Sequence, residues 1–264
     1  MKAYKYSGAG NDFVLIDNRE GKLSDYPALA RRLCSPETGL GTDGLMVLEN
    51  PQAGGDIKMC FYNNDGSEAE MCGNGARCLC RHCHDFGISG ERQVLETRAG
   101  VVTGERISEN QYKIQLNSPS ETKLQMKAEG RLCDYVVLGE NGIPHGVFPR
   151  PDLSRDDLRK LGRTLRFSDA FPRGANINFY EKTGENSIRL LTYERGVEDF
   201  TPACGTGTGA TVYALTRRGI VSGQNTEILS EGGTLRVDID GSKIFLTGPA
   251  DRLWEGNLDG GDKT

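Results

Sequence analysis

Along most of the chain the apolar positions come in short runs or strict alternation, and only four stretches carry a helical spacing. Residues 2–6 alternate as a strand does. Residues 7–12 read as a turn, and 13–16 form a buried-strand run closed by Asp17-Asn18. A helix is expected over 26–33, with Ser24 or Asp25 as its cap and Pro27 in its first turn. Strands are expected over 45–48 and 57–62, followed by a turn at 63–66. The next helix, 75–86, carries Ala76, Leu79, Cys80, Cys83 and Phe86 close to one stripe. Strands near 93–97, 101–107 and 111–116 lead to Asn117-Ser118-Pro119-Ser120, the best boundary candidate in the chain. Beyond it come a strand at 135–138, a turn at Asn141-Gly142, and a polar helix over 154–161 capped by Ser154. Strands at 177–181 and 188–193, a helix near 207–218, and strands near 226–229, 234–239 and 243–247 complete the pattern.

The second half repeats the first. Met71-Cys72-Gly73-Asn74-Gly75-Ala76-Arg77-Cys78 has a later version in Ala203-Cys204-Gly205-Thr206-Gly207-Thr208-Gly209-Ala210. The two cysteines are 132 positions apart (204 − 72), half of the 264 residues. The helices that follow stop at Gly87 and Gly219, each followed by isoleucine, and Gly100 matches Gly232 at the same offset. Extended without gaps, the offset lays Asn11 on Ile143, Tyr62 on Glu194, Asn63 on Arg195 and Gly44 on Asn176. The expected fold class is α/β (α+β) with two similar halves, 1–116 and 117–251. Each half has more strands than helices and one helix nucleated by glycines.

Composition narrows the partners. A net charge of −5 and the absence of basic clusters interleaved with aromatics argue against nucleic acid. No apolar run approaches the roughly 20 residues that span a bilayer, and residues 1–6 lack the apolar core of a signal peptide. No membrane partner and a cytoplasmic location are therefore expected. In that setting the eight cysteines read as thiols rather than disulfides. Cys80-x-x-Cys83 has zinc-ligand spacing, but no second Cys/His pair lies nearby to close a four-ligand site, so no metal is expected.

Cys-Gly-x-Gly at a helix start has specific chemistry. The first turn of a helix presents N–H groups and partial positive charge, and glycine lets a ligand approach the backbone. A cysteine there is expected to have its thiolate stabilised. Two such units around one α-carboxylate would set a thiol on either side of the α-carbon. One, as thiolate, removes the α-proton, and the other, as thiol, returns a proton to the opposite face. The scheme needs no cofactor. A competing reading takes Gly205-x-Gly207-x-x-Ala210 as part of a nucleotide-binding module. The first half has no matching fingerprint, and neither loop has a P-loop ending.

Ser7-Gly8-Ala9-Gly10-Asn11-Asp12-Phe13, Asn63-Asn64-Asp65-Gly66-Ser67-Glu68, the first cysteine motif, Tyr193-Glu194-Arg195-Gly196 and the second cysteine motif together resemble the diaminopimelate epimerase family. The resemblance runs in order over nearly the whole chain. It implies a cofactor-independent amino-acid epimerase, each half a strand-rich barrel around a central helix, with the active site in the cleft between them. It also implies a homodimer and a last strand, within 252–264, that returns to the first half. By position, Cys72 and Cys204 match the acid/base thiols, and Gly73, Asn74, Gly205 and Thr206 the carboxylate socket. Asn11, Asn63, Asn176, Glu194 and Arg195 match positions that hold a small-molecule amino-acid substrate. Arg195 suits a carboxylate and Glu194 an ammonium. His145 matches a supporting histidine.

Two departures stand out. Ser7 replaces the histidine of the family's common opening. Ile143-Pro144-His145 replaces Asn-Pro-His, and isoleucine cannot bind a distal carboxylate as asparagine does. The resemblance thus implies LL- to meso-diaminopimelate inversion, with racemisation of another amino acid such as histidine as the alternative.

Overall fold

The computed structural model describes residues 1–140 and 142–258. The turn expected at Asn141-Gly142 falls partly outside these residues, as do the last six positions of the 252–264 segment. The chain divides into two compact units, Met1–Ile114 with the segment from Gly248 onward, and Gln115–Thr247.

In chain order the elements are β1 (Lys2–Gly8), β2 (Asn11–Asp17), α1 (Tyr26–Cys34), β3 (Gly44–Glu49), β4 (Ile57–Asn63), β5 (Glu68–Ala69), α2 (Gly73–Asp85), β6 (Arg92–Thr97), β7 (Gly100–Arg106) and β8 (Gln111–Leu116). The second series is β9 (Pro119–Ala128), β10 (Arg131–Leu138), β11 (Pro144–Pro149), α3 (Arg155–Arg166), β12 (Asn176–Gly184), β13 (Ser187–Glu194), β14 (Asp199–Thr201), α4 (Gly205–Arg217), β15 (Thr226–Ser230), β16 (Gly233–Asp240), β17 (Lys243–Pro249) and β18 (Asp251–Asn257).

The units share one topology. In the first, β18 pairs with β1, β1 with β2, β2 runs parallel to β3, and β3 pairs with β4; β4 then runs parallel to β6, which leads to β7. In the second, β9, β10, β11, β12, β13, β15 and β16 repeat that order and those directions. The parallel pairs even keep the register, Phe13 opposite Gly44 and His145 opposite Asn176. β9, which follows β8 in the chain, pairs with β10, and β18, which follows β17, returns to pair with β1.

Each sheet surrounds one helix. α2 packs against β1, β2, β3 and β7, and α4 against β9, β10, β11, β12 and β16. The stripe expected on α2 proves too narrow: Gly73 through Cys80 are all buried, as are His82 and Cys83, while Phe86 lies beyond the helix and is exposed. A helix buried all round is what a central position requires. Both helices are 13 residues long and both begin two residues earlier than expected, directly after a cysteine N-cap. Both end the same way. Gly87 and Gly219 take positive φ (64° and 68°), and Ile88 and Ile220 donate back to Cys83 and Leu215 carbonyls.

The outer face of each sheet is covered by an amphipathic helix. α1 buries Ala30, Leu33 and Cys34 against Val14, Ile16, Leu45 and Val47. It is capped by Asp25, which accepts from the Ala28 N–H at 3.2 Å, and Pro27 sits in its first turn. α3 buries Leu158 and Leu165 against Phe179, Leu191 and Tyr193, and runs five residues past the expected end. Ser154 is its N-cap residue without a side-chain cap bond.

Candidate active site

In the first unit the candidate residues sit where strands end at the N-terminus of α2. Cys72, partly buried, is the N-cap, and its carbonyl accepts the first helical bond from Ala76 at 2.8 Å. Asn11 opens β2, and its Oδ1 receives the Cys72 thiol at 3.9 Å and the Asn74 amide at 3.4 Å. Asn11 is fixed from behind by Asp43, whose carboxylate accepts its amide at 2.6 Å and the Asp12 N–H at 2.8 Å. Asn63 closes β4 and gives its amide to Ser67 Oγ at 2.9 Å. Gly73 and Asn74 form the first turn of α2.

In the second unit Cys204 is the N-cap of α4, 8% exposed. Its sulfur accepts from the Gly207 N–H at 3.4 Å, meets Thr206 Oγ1 at 3.6 Å, and receives the Asn176 amide at 3.8 Å. Gly205 and Thr206 form the first turn. Asn176 Oδ1 accepts the Arg195 N–H at 2.8 Å, which ties the start of β12 to the end of β13. The Arg195 guanidinium is held by the Arg173 carbonyl at 3.0 Å.

Glu194 lies beside the Cys204 thiol as well as accepting from Thr201 Oγ1. Desolvation pushes its pKa up. Cys204 corrects the expectation of a stabilised thiolate. Burial and the adjacent Glu194 charge drive its pKa well up, outweighing the bonds from Thr206 and Gly207. Cys204 is therefore held as the thiol.

His145 is fully buried on β11. Its Nδ1 meets the Asn178 amide at 3.3 Å, and Asn178 Oδ1 accepts from Thr192 Oγ1 at 3.0 Å. That order makes Nδ1 the acceptor and Nε2 the N–H bearing atom. Burial, with Arg195 adding to it, pushes the His145 pKa down to about 3, so the ring is neutral. Asn178, Thr192, Thr201, Asp43 and Ser67 were not found from sequence. Each acts on a neighbour through a cross-strand or loop contact, and no spacing along the chain announces such a partner.

Gly207 also has a use the nucleotide reading did not foresee. A Cβ there would lie 2.4 Å from Asn178 Oδ1, 3.2 Å from Cys204 Sγ and 3.3 Å from Thr192 Oγ1. The space next to this glycine is filled by the protein's own side chains, and its N–H is spent on a thiol. We expect Gly207→Ala to cost about 1–3 kcal/mol by overpacking and to displace Cys204, lowering both Tm and turnover. A wild-type Tm with wild-type kcat would refute the close contact.

Cys78, Cys80 and Cys83, whose spacing includes a zinc-like Cys-x-x-Cys, are buried helix thiols. Burial holds Cys80 at about 12 and pushes Cys78 and Cys83 up, so all three stay protonated. No group of three or more His, Cys, Asp or Glu that could hold a metal occurs among the described residues. No described helix is long and apolar enough to cross a membrane.

Acid should unfold the protein early. Burial lowers His82, bonded to the Tyr6 hydroxyl at 3.2 Å, to about 4, and His145 to about 3. Unfolded histidine titrates near 6.5. The unfolded chain therefore binds more protons below about pH 6.5, and stability present above it is lost as pH falls toward these values. Each histidine contributes a slope of about 1.4 kcal/mol per pH unit. Urea midpoints at pH 7.5 and 5 should differ less in His82→Phe than in wild type; equal differences would count against a neutral His82.

Paired helices with cysteine N-caps, wrapped in matching sheets and flanked by amide and carboxylate side chains, define an isomerase of the amino-acid racemase and epimerase class. The family model for diaminopimelate epimerase matches residues 3–120 and 137–253. The chain is 39% identical over 274 residues to diaminopimelate epimerase of Aquifex aeolicus, covering 98% of each. It is 38% identical over 267 residues to that of Flavobacterium psychrophilum, covering 97% of this chain and 99% of the relative. A hydroxyproline epimerase from Agrobacterium vitis shares the fold at a TM-score of 0.69 and 16% identity, with 98% of this chain and 90% of that one covered. The chain belongs to the diaminopimelate epimerase family, and the protein is an epimerase.

Proposed function

We propose that this protein inverts an α-carbon of diaminopimelate, LL to meso, with Cys72 and Cys204 as the two acid/base groups and without PLP. The observation that carries the reading is the pair of cysteine N-caps on two equivalent helices, each with its sulfur in reach of an asparagine amide or carbonyl. The first-turn amides of Gly73, Asn74, Gly205 and Thr206 take the α-carboxylate, where charge grows as the α-proton leaves. Asn11, Asn63, Asn176, Glu194 and Arg195 position the rest of the substrate.

The proton balance is simple. With the LL substrate, one sulfur enters as thiolate; its S–H bond forms as the substrate C–H bond breaks. The second sulfur enters as thiol and gives its proton to the opposite face. The enzyme leaves with the two protonation states exchanged and returns through solvent. Cys204, held as thiol, suits the proton-donating role in the resting enzyme, with Cys72 as base. Neutral His145, its Nδ1 taken by Asn178 and its buried Nε2 without a partner among the described residues, keeps one N–H to offer a bound substrate.

The decisive experiment incubates the purified protein with LL-diaminopimelate in D₂O, with PLP and NAD absent. Deuterium at one α-carbon together with the meso isomer is the expected result; no exchange and no meso product would overturn the reading. A panel of the common L-amino acids, histidine included, tests whether Ile143 has moved specificity elsewhere. We further propose a cytoplasmic homodimer, checked by sedimentation and by fractionation.

A further inference from the structure

The largest fully buried side chain in the described structure is a cation. Arg77, in the first half of α2, is 0% exposed and has no carboxylate partner in any described ion pair. Its Nε donates to the Pro249 carbonyl at 3.2 Å and its Nη2 to Asn74 Oδ1 at 3.0 Å, while Nη1 makes no hydrogen bond. A buried charge without a counter-ion is expensive, and guanidinium, unlike lysine, cannot relieve the cost by losing its proton. The equivalent residue of α4, 132 positions on, is Gly209, packed against apolar Leu116 and Ile244. Only the helix that starts at Cys72 carries this charge.

We propose that Arg77 is a positioning residue for Cys72: it clamps the Asn74 carboxamide and supplies the fixed positive charge against which the Cys72 thiolate forms. The clamp is direct. With Asn74 Oδ1 committed to Arg77, its Nδ2 must face Asn11 Oδ1, the atom that also meets the Cys72 sulfur. The charge acts on three thiols of the same helix, Cys72, Cys78 and Cys80. Cys78 and Cys80 are sealed at 0% exposure and stay protonated, whereas Cys72 is only partly buried, at the helix N-terminus, and can ionise. Other charges facing this region are Asp12 of β2, paired with Lys5 of β1 at 3.1 Å, Asp251 of β18, and Asp43 beneath Asn11. Asp12 and Asp251 act against a thiolate on the neighbouring Cys78; Lys5 answers Asp12 at the surface, and Arg77 is the cation buried within the helix itself. In the second unit the sign is reversed: Glu194 lies beside Cys204 and no cation replaces Arg77. The protein thus biases its resting state to thiolate on Cys72 and thiol on Cys204.

This inference rests on the reading of Cys72 as an acid/base group, and its test separates the two. The alkylation rate of Cys72 by iodoacetamide, followed by peptide mass from pH 5 to 10, is compared in wild type, Arg77→Gln and Arg77→Met. Removal of the charge should lower the rate at neutral pH about tenfold and move the profile about one unit higher, with the Cys204 profile unchanged. An unshifted Cys72 profile in a folded variant overturns the inference even if Cys72 remains essential. If both variants fail to fold, the guanidinium resonances of ¹⁵N-arginine-labelled wild type decide. An Arg77 signal that titrates with Cys72 and is flat in Cys72→Ser supports the coupling; a signal flat in wild type overturns it.

Discussion

Cys72→Ala and Cys204→Ala each abolish stereoinversion, with a loss of at least about 10³-fold, while leaving the fold intact. General acid or base catalysis by one group is typically worth about 10²–10⁴-fold, and inversion needs both groups in one turnover, so neither can substitute for the other. Neither alanine disturbs the helix it precedes, because the N-cap contribution that α2 uses is the Cys72 backbone carbonyl. At α4 the lost thiol contact to the Gly207 N–H is long, 3.4 Å, and weak. The two variants should also differ. Each retains one thiol, and with it the means to exchange the α-proton of one stereoisomer without inverting it. Chiral chromatography for inversion and ¹H NMR in D₂O for exchange separate the two events. Full turnover in either variant would rule out the two-thiol scheme.

The parts of this fold that were legible in the sequence are those set by local chemistry. Cys-Gly-x-Gly started both central helices, and Gly87 and Gly219 ended them, because a positive φ favours glycine whatever surrounds it. Asp25 and Pro27 announced α1 for the same reason. What escaped is what tertiary contact decides. Residues 121–125 of β9 are exposed and mostly polar or charged, so they carry no strand signal of their own; pairing with β10 makes them a strand. Pro119 and Ser120, read as a connection, open that strand. β11 and β14 were missed likewise, short and stabilised by their neighbours, and β18 has no pattern of its own and was expected only from the family resemblance. In the site, the two cysteines and Glu194-Arg195 stood out as motifs. The Asn178 amide that orients His145, and the Asp43 carboxylate that orients Asn11, are a strand or more away from what they hold. A stabilised thiolate is not what the surroundings of Cys204 favour: burial and the Glu194 charge beside the sulfur push its pKa up, and the bonds from Thr206 and Gly207 do not offset them.

Arg195→Ala should reduce kcat/KM for diaminopimelate by about 10²–10⁴-fold, whereas Ile143→Asn should raise it by no more than about 10–100-fold. Arg195 is anchored for the task. Its backbone N–H is fixed by Asn176 Oδ1 at 2.8 Å, and one guanidinium nitrogen is held by the Arg173 carbonyl at 3.0 Å, which leaves further N–H donors of the fork for a carboxylate. Each hydrogen bond to a charged group is worth about 1.5–3 kcal/mol, so losing a two-point contact gives the larger effect, about a factor of ten for every 1.4 kcal/mol. Ile143 is 37% exposed, just before β11, and an asparagine there costs no buried apolar packing. Its gain is one hydrogen bond to a carboxylate that, in the proposed reading, Arg195 already holds. Because Asn176 is joined to both Arg195 and Cys204, the Arg195 loss should appear in kcat as well as KM. Kinetics of the two variants with both diaminopimelate isomers and with histidine decide the matter. If diaminopimelate is inert in wild type while histidine racemises, and Ile143→Asn restores diaminopimelate turnover, then Ile143 rather than Arg195 sets the specificity of this site.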